Sequence, residues 1–193
     1  NEEVYVEASV GVVRDLSTYD SVEAALRDAD AAMYRAKRDP GHSFAVHNPS
    51  MSAGIEERLH LDTALHRAVE RGNFEPYFHP IVRLTDGTVH GCEVLARWRN
   101  DDDEVITPGV FLEIAEETGL IEPIGHQVIQ EACRIRQTLR DQYGKDFQLA
   151  LSGNFSRTEF FQPETSSFVA EVLREYDMSP SQFTMEVTER SVG

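Results

Sequence analysis

The chain has 193 residues, 40% of them hydrophobic, enough to bury a core and to hold one domain or pieces of two. Its 18 Lys and Arg stand against 34 Asp and Glu, a formal net charge of -16, which argues against binding long nucleic acid and disfavours an anionic membrane surface. A small anionic ligand remains compatible with that charge, because bound cations invert the local field.

Residues 4–13 read as a strand, with Val4, Val6, Ala8 and Val10 on one face. Ser21 offers an N-cap, and Val22, Ala25, Leu26, Ala29, Ala32, Met33 and Ala36 then recur in a single helical stripe. Asp39-Pro40-Gly41 stops that helix, and 44–46 is a short strand. Asn48-Pro49-Ser50-Met51-Ser52-Ala53-Gly54 has the composition of a linker, which places a domain boundary at 48–55. Residues 56–71 are helical, with Leu61, Leu65, Ala68 and Val69 inward and Gly72-Asn73 at the end. A strand over 75–84 runs into Asp86-Gly87, a two-residue hairpin signal, so the strand over 89–98 pairs antiparallel with it. The acidic run Asp101-Asp102-Asp103-Glu104 reads as a solvated turn. Pro108 opens a helix closed by Gly119. Pro123 opens a longer one, with Ile124, Val128, Ala132, Ile135 and Leu139 in a stripe and Gly144 at its end. A strand over 147–151 follows, then a helix over 163–176 with Phe168, Val169, Val172, Leu173 and Tyr176 inward, then a strand over 183–188. This alternation after the hairpin belongs to an α/β sheet or barrel.

Cys92 and Cys133 show neither zinc spacing nor a disulfide framework, which fits a reducing cytoplasm. No stretch approaches the roughly 20 apolar residues of a transmembrane helix. The start, Asn1-Glu2-Glu3-Val4, has no initiator Met and no signal region. It reads as cut from a longer protein whose anchoring or sensory parts lie elsewhere.

The strand Val89-His90-Gly91-Cys92-Glu93-Val94-Leu95-Ala96-Arg97-Trp98 carries most of the functional information. Alternation puts Glu93, Leu95 and Arg97 on one face, and Cys92, Val94, Ala96 and Trp98 on the other. A carboxylate and a guanidinium in an apolar strand need compensation. A metal ion with a phosphate supplies it; so does a structural ion pair or a solvated face, and the strand alone leaves both readings open. Active groups of α/β folds gather at the carboxyl ends of strands. Asn154 and Glu186 stand near two further ends. Two carboxylates and an amide oxygen suit Mg2+, Mn2+ or Ca2+, and Arg97 suits a phosphate oxygen. Together they point to metal-assisted phosphoester chemistry.

Glu93-Val94-Leu95-Ala96-Arg97-Trp98 resembles the signature strand of the EAL-domain phosphodiesterases of cyclic di-GMP. Further landmarks agree in order: Phe74-Glu75-Pro76-Tyr77-Phe78-His79-Pro80, Ile106-Thr107-Pro108-Gly109, Ala115-Glu116-Glu117-Thr118-Gly119-Leu120-Ile121, Asn154-Phe155-Ser156 and Glu186-Val187-Thr188-Glu189. Ser9-Val10-Gly11-Val12 and the segment Ala29-Asp30-Ala31-Ala32-Met33-Tyr34-Arg35-Ala36-Lys37 resemble the tail of a GGDEF domain. The resemblance implies a partial TIM-like (β/α) barrel with an antiparallel first strand over 56–193, preceded by an α+β GGDEF remnant over 1–47. It implies that Glu93, Asn154 and Glu186 are metal ligands in a two-metal Mg2+ or Mn2+ site, and that Arg97, His79 and Leu95 face the substrate. The function implied is a bacterial, cytoplasmic cyclic di-GMP phosphodiesterase yielding linear pGpG, dimeric through its EAL domains; a catalytically inactive cyclic di-GMP receptor is the alternative.

The departures from the family pattern are specific. Val94 replaces the signature Ala, His79 stands for a substrate-contacting Gln and either hydrogen-bonds the ligand or fills the barrel, Glu113 stands for a Pro, and Gly153 for a bulky aliphatic beside Asn154, which is expected to loosen that ligand. Lys37 matches a phosphate-contacting Lys of GGDEF domains, while the usual Arg nearby is lost in Asp39-Pro40-Gly41-His42. The family's later Asp-Asp pair, general-base Lys and dimerisation loop have no counterpart before Gly193, so these residues alone are expected to be inactive, with an open sheet edge and an uncovered inner face.

Overall fold

The computed structural model describes residues 8–38, 43–144 and 147–187. Val4 and Val6 of the expected first strand, the helix stop at Asp39-Pro40-Gly41, and Thr188-Glu189 lie outside the described residues. The chain divides into two compact units, Asn1–Thr63 and Ala64–Gly193.

In the first unit, β1 (Val10–Val12) pairs in parallel with β2 (Phe44–Val46), and α1 (Val22–Arg38) connects them. Ser21 caps α1 as expected, its hydroxyl accepting from the Ala24 N–H at 3.1 Å. Gly11 is required where the strand meets this helix: a Cβ there would stand 1.8 Å from the Ala29 carbonyl oxygen. The expected stripe holds only in part. Ala25, Ala32 and Ala36 are buried, whereas Val22, Leu26 and Met33 are exposed, because close approach of β1 selects the small residues and leaves the larger ones on the flanks. Asp28 receives the Tyr19 hydroxyl at 3.0 Å and stands 3.5 Å from His47 Nδ1.

The helix α2 (Pro49–Arg71) begins at Pro49, not at 56, so the segment with linker composition is helical. Asn followed by Pro is itself a helix-start signal, since Pro at the first helical position forgoes no hydrogen bond. At the other end Gly72 takes φ 71°, and the Asn73 N–H closes on the Ala68 carbonyl at 2.9 Å.

The second unit is built on one sheet, in the order β3 (Phe74–Val82), β4 (Val89–Arg99), β6 (Ala150–Phe155), β7 (Phe183–Val187), with β5 (Val105–Ile106) added to β4. β3 and β4 are antiparallel; β4, β6 and β7 are parallel. The hairpin is therefore as expected, but its loop is longer. Arg83 N–H donates to the Thr88 carbonyl at 2.8 Å across the four residues from Leu84 to Gly87. Asp86 stabilises this loop by accepting from the Thr88 N–H and hydroxyl, and Gly87 supplies φ 71°. The acidic run is a turn, followed by the short strand β5 that periodicity did not predict.

One face of this sheet is covered by α3 (Pro108–Thr118), α4 (Ile121–Tyr143) and α6 (Pro163–Glu175), and α5 (Arg157–Phe160) follows β6. Phe74, Trp98 and Phe111 form an aromatic cluster, with ring centroids 5.6 to 6.2 Å apart. Ile124, Val128 and Ala132 of the expected α4 stripe are buried, joined by Ile129 and Cys133. Leu151, Gly153 and Phe155 point to this covered side. The space beside Gly153 is taken by Phe183, Phe155 and Ile129, whose side chains stand 3.3 to 4.0 Å from where a Cβ would lie. The expected loosening at Gly153 thus meets a packed surface behind Asn154 rather than a void.

Candidate functional site

The face of the second unit's sheet opposite α3, α4 and α6 carries the polar residues. Period-two alternation delivers Tyr77 and His79 from β3, Glu93, Leu95 and Arg97 from β4, Ser152 and Asn154 from β6, and Thr184 and Glu186 from β7. Register then sets the neighbours: His79 lies opposite Glu93, Tyr77 opposite Leu95, Glu93 beside Ser152, and Asn154 beside Glu186.

Glu93 and Asn154 meet directly: the Asn154 side-chain Nδ2 donates to Glu93 Oε1 at 2.7 Å. Asn154 lies inside β6 rather than after a strand ending near Leu151, since the strand runs further than its hydrophobic segment. Glu186 is paired with it on the next parallel strand. The three oxygen-bearing side chains expected from the sequence therefore share one face over adjacent strands. His79 Nδ1 stands 3.8 Å from Glu93 Oε2, and its side chain is 70% exposed, so it does not fill a core.

Arg97 sits four residues beyond Glu93 on the same face. It makes no ion pair among the described residues: Nη1 donates to the carbonyl oxygen of Ala96 at 2.8 Å, and the guanidinium lies 5.3 Å from the Tyr77 ring centroid. Glu75, in register with Arg97, is taken instead by Arg99, which donates to Glu75 Oε1 at 2.6 Å. The structural pairing of Glu93 with Arg97 is thus not formed. Leu95 lies between them, partly buried.

One member escaped sequence reasoning. Ser152 lies in register with Glu93, is buried, and its hydroxyl has no hydrogen-bond partner among the described residues. The available signal was its spacing, two residues before Asn154 and hence on the same face, but a lone Ser in a strand carries no chemical signature. Among the described residues no three His, Cys, Asp or Glu side chains cluster as a metal site; the cluster here contains an amide. No helix among them is long and apolar enough to cross a membrane.

Residues 62–192 match the family described as the EAL domain. Over 187 residues the chain is 34% identical to the bifunctional diguanylate cyclase/cyclic di-GMP phosphodiesterase MucR of Pseudomonas aeruginosa, covering 97% of this chain and 27% of that protein. It is 32% identical over 187 residues to the cyclic di-GMP phosphodiesterase PdeR of Escherichia coli, covering 97% and 28%. The chain spans little more than a quarter of the length of these curated relatives. A solved structure of the PaMucR phosphodiesterase in complex with c-di-GMP matches with a TM-score of 0.61 at 35% identity, over 67% of this chain and 52% of that one.

Proposed function

This chain belongs to the EAL domain family, and on that premise we propose that it forms part of a bacterial cyclic di-GMP phosphodiesterase that yields linear pGpG. The observation that carries the reading is the Glu93–Asn154 contact at 2.7 Å, with Glu186 in register beside it. Carboxylate and amide oxygens are hard donors suited to Mg2+ or Mn2+. The unpartnered buried hydroxyl of Ser152 beside them is a further oxygen that an ion or its water can satisfy. Glu93, Asn154 and Glu186 would hold the metal, which when bound lowers the pKa of a water and offsets phosphate charge.

The chain's own residues do the remaining work. Arg97, with no carboxylate partner among the described residues, offers a guanidinium fork to a phosphate oxygen, while the Tyr77 ring limits its swing. Leu95 supplies an apolar floor between the metal and phosphate positions. His79 stands at the open edge, where it can donate to a guanine or a phosphate. Residues 1–47 are the C-terminal part of a GGDEF domain in this reading. The match to the bifunctional MucR over 97% of the chain supports that assignment, and 1–47, 48–55 and 56–193 remain its proposed divisions. The protein works in the cytoplasm and dimerises through its EAL domain.

The test is binding, which reports on the site residues directly. Calorimetric titration of the chain with cyclic di-GMP in Mn2+ should show binding without pGpG formation. Arg97→Ala should weaken it by about 10-fold or more, as loss of a charged hydrogen-bonding pair does. Binding that is indifferent to both Arg97→Ala and Glu93→Gln would remove the site from this face.

A further inference from the structure

A second concave site lies at the opposite end of the same strands. Gln148 precedes β6, and Ser179, Ser181 and Gln182 precede β7, whereas Asn154 and Glu186 lie further along these strands. Between these segments and the C-terminal turns of α4 and α6 is a cavity of about 760 Å3 into which Arg136, Arg140 and Arg174 converge. Such a volume is ample for a small ligand. Among the described lining residues, three arginines stand against one carboxylate, that of Asp177, a local positive pole on a chain of net charge -16.

Each arginine has a different standing. Arg136 is 2% exposed; its Nε donates to the Leu149 carbonyl at 2.7 Å and Nη2 to Gln182 Oε1 at 3.0 Å, while Nη1 is buried with no partner among the described residues. An unpaired buried guanidinium nitrogen is costly. Burial, and then the nearby Arg140 charge, draw its pKa below the ordinary arginine value. Arg140 is committed to Asp177, donating to its backbone oxygen at 2.9 Å and to Oδ2 at 2.8 Å. Arg174 is exposed and has no partner among the described residues. Ser179 and Ser181 add hydroxyls 2.9 Å apart at the rim. One satisfied arginine, one with an orphaned nitrogen and one free, around a hydroxyl-lined cavity, form an arrangement suited to an anion.

We propose that this cavity binds a phosphate oxyanion, independently of the Glu93 face. Arg174 and Arg140 grip it, Arg136 supplies fixed charge behind it, and the serine hydroxyls donate to its remaining oxygens. The described lining residues include no aromatic side chain on which a base could stack, so the phosphate group itself is what the cavity recognises, whether as the free ion or as the terminus of a nucleotide.

The experiment titrates the chain with inorganic phosphate and, separately, with a nucleoside monophosphate, at constant ionic strength and without divalent metal, followed by 31P NMR. Saturable binding of inorganic phosphate is expected. Arg174→Gln should weaken it at least fivefold, Asp177→Asn should tighten it by freeing Arg140, and the charge-matched surface change Arg71→Gln should leave it unchanged. Equal affinity for the two ligands assigns the site to free phosphate; at least tenfold tighter binding of the monophosphate assigns it to a nucleotide terminus. No saturable binding, or equal binding by the parent chain and Arg174→Gln, overturns the proposal. Arg174 has no partner among the described residues, so its replacement tests the cavity without disturbing the fold.

Discussion

Glu93 and Arg97 lie on one strand face yet answer to different partners, and this separates their predicted phenotypes. Glu93 touches Asn154 and faces His79, whereas Arg97 touches Ala96 and Tyr77. Glu93→Gln removes a carboxylate from the proposed ion site, so Mn2+ affinity should fall by about 10-fold or more, as judged by Mn2+ relaxation titration. Arg97→Ala should leave Mn2+ affinity within about twofold while cutting cyclic di-GMP affinity; equal losses in both variants would mean that one collapsed surface, not two functions, was disrupted. Cys133 makes a pH prediction. Burial raises its thiol pKa from 9.0 to about 11, partly opposed by the Arg136 charge. The folded state therefore keeps its proton after the unfolded chain has lost it, and the stabilisation present below pH 9 drains away as pH rises toward 11. Chemical denaturation at about pH 8 and about pH 10.5 should show this loss, on the order of 2 kcal/mol, and Cys133→Ala should flatten it. Glu93 and Arg97 were legible in the sequence because charges break an apolar alternation. The pairing of Asn154 with Glu93 was not, since it depends on the register of strands 61 residues apart.

At the scale of elements, Gly11 shows how a single position sets a packing distance. Any Cβ there would stand 1.8 Å from a backbone oxygen of α1, which no rotamer change relieves. Gly11→Ala should part β1 from α1 and cost the first unit about 3 kcal/mol or more. Hydrogen exchange should speed up in Val10–Val12 and α1, with phosphate and nucleotide binding in the second unit unchanged. Protection retained in β1 would mean that the strand shifts without cost. In the other unit, Phe111→Ala opens the Phe74–Trp98–Phe111 cluster and should cost about 3–5 kcal/mol, read from the shift in urea midpoint. The helices were the most legible elements, because their stripes are long and glycines mark their ends at 72, 119 and 144. Strand limits were less so. The strand expected over 147–151 runs Ala150–Phe155, because Gly153 and Asn154 look like loop residues until the neighbouring strands pair with them. β5 is invisible to periodicity because two residues carry no period, and the segment from Asn48 to Gly54 has linker composition although Pro49 starts a helix, since Asn, Pro, Ser and Gly are five of its seven residues.

For the whole molecule, the net charge of -16 must repel the anionic ligand that the sheet face is proposed to hold. The repulsion is long-ranged and the attraction of Arg97 is local, so salt separates them. The Debye length is about 30 Å at 0.01 M and about 10 Å at 0.1 M. At low salt an approaching dinucleotide feels the whole acidic chain; at higher salt it feels only the charges near the site. Stopped-flow association at fixed Mn2+ should therefore quicken a few-fold as salt rises from about 0.01 to 0.15 M, the opposite of a ligand steered by charge complementarity. The acidic turn is the sharpest test of where the repulsion originates. Asp101, Asp102 and Asp103 follow β4 after Asn100, at the end of the strand where Arg97 lies, and they are exposed. The turn is held by Asn100, whose side-chain oxygen accepts from the Asp102 and Glu104 N–H groups, while the surface pairs of Arg71 with Asp101 and of Arg99 with Asp103 add little, and Arg99 keeps its bond to Glu75. Asp103 has φ 64°, which Asn tolerates. The combined change Asp101→Asn, Asp102→Asn and Asp103→Asn should accordingly keep the fold, raise the low-salt association rate and leave the rate at about 0.15 M nearly unchanged. A parent rate that falls with salt would show that Arg97 and the bound cations already govern the field, and that the acidic surface plays no part in the encounter.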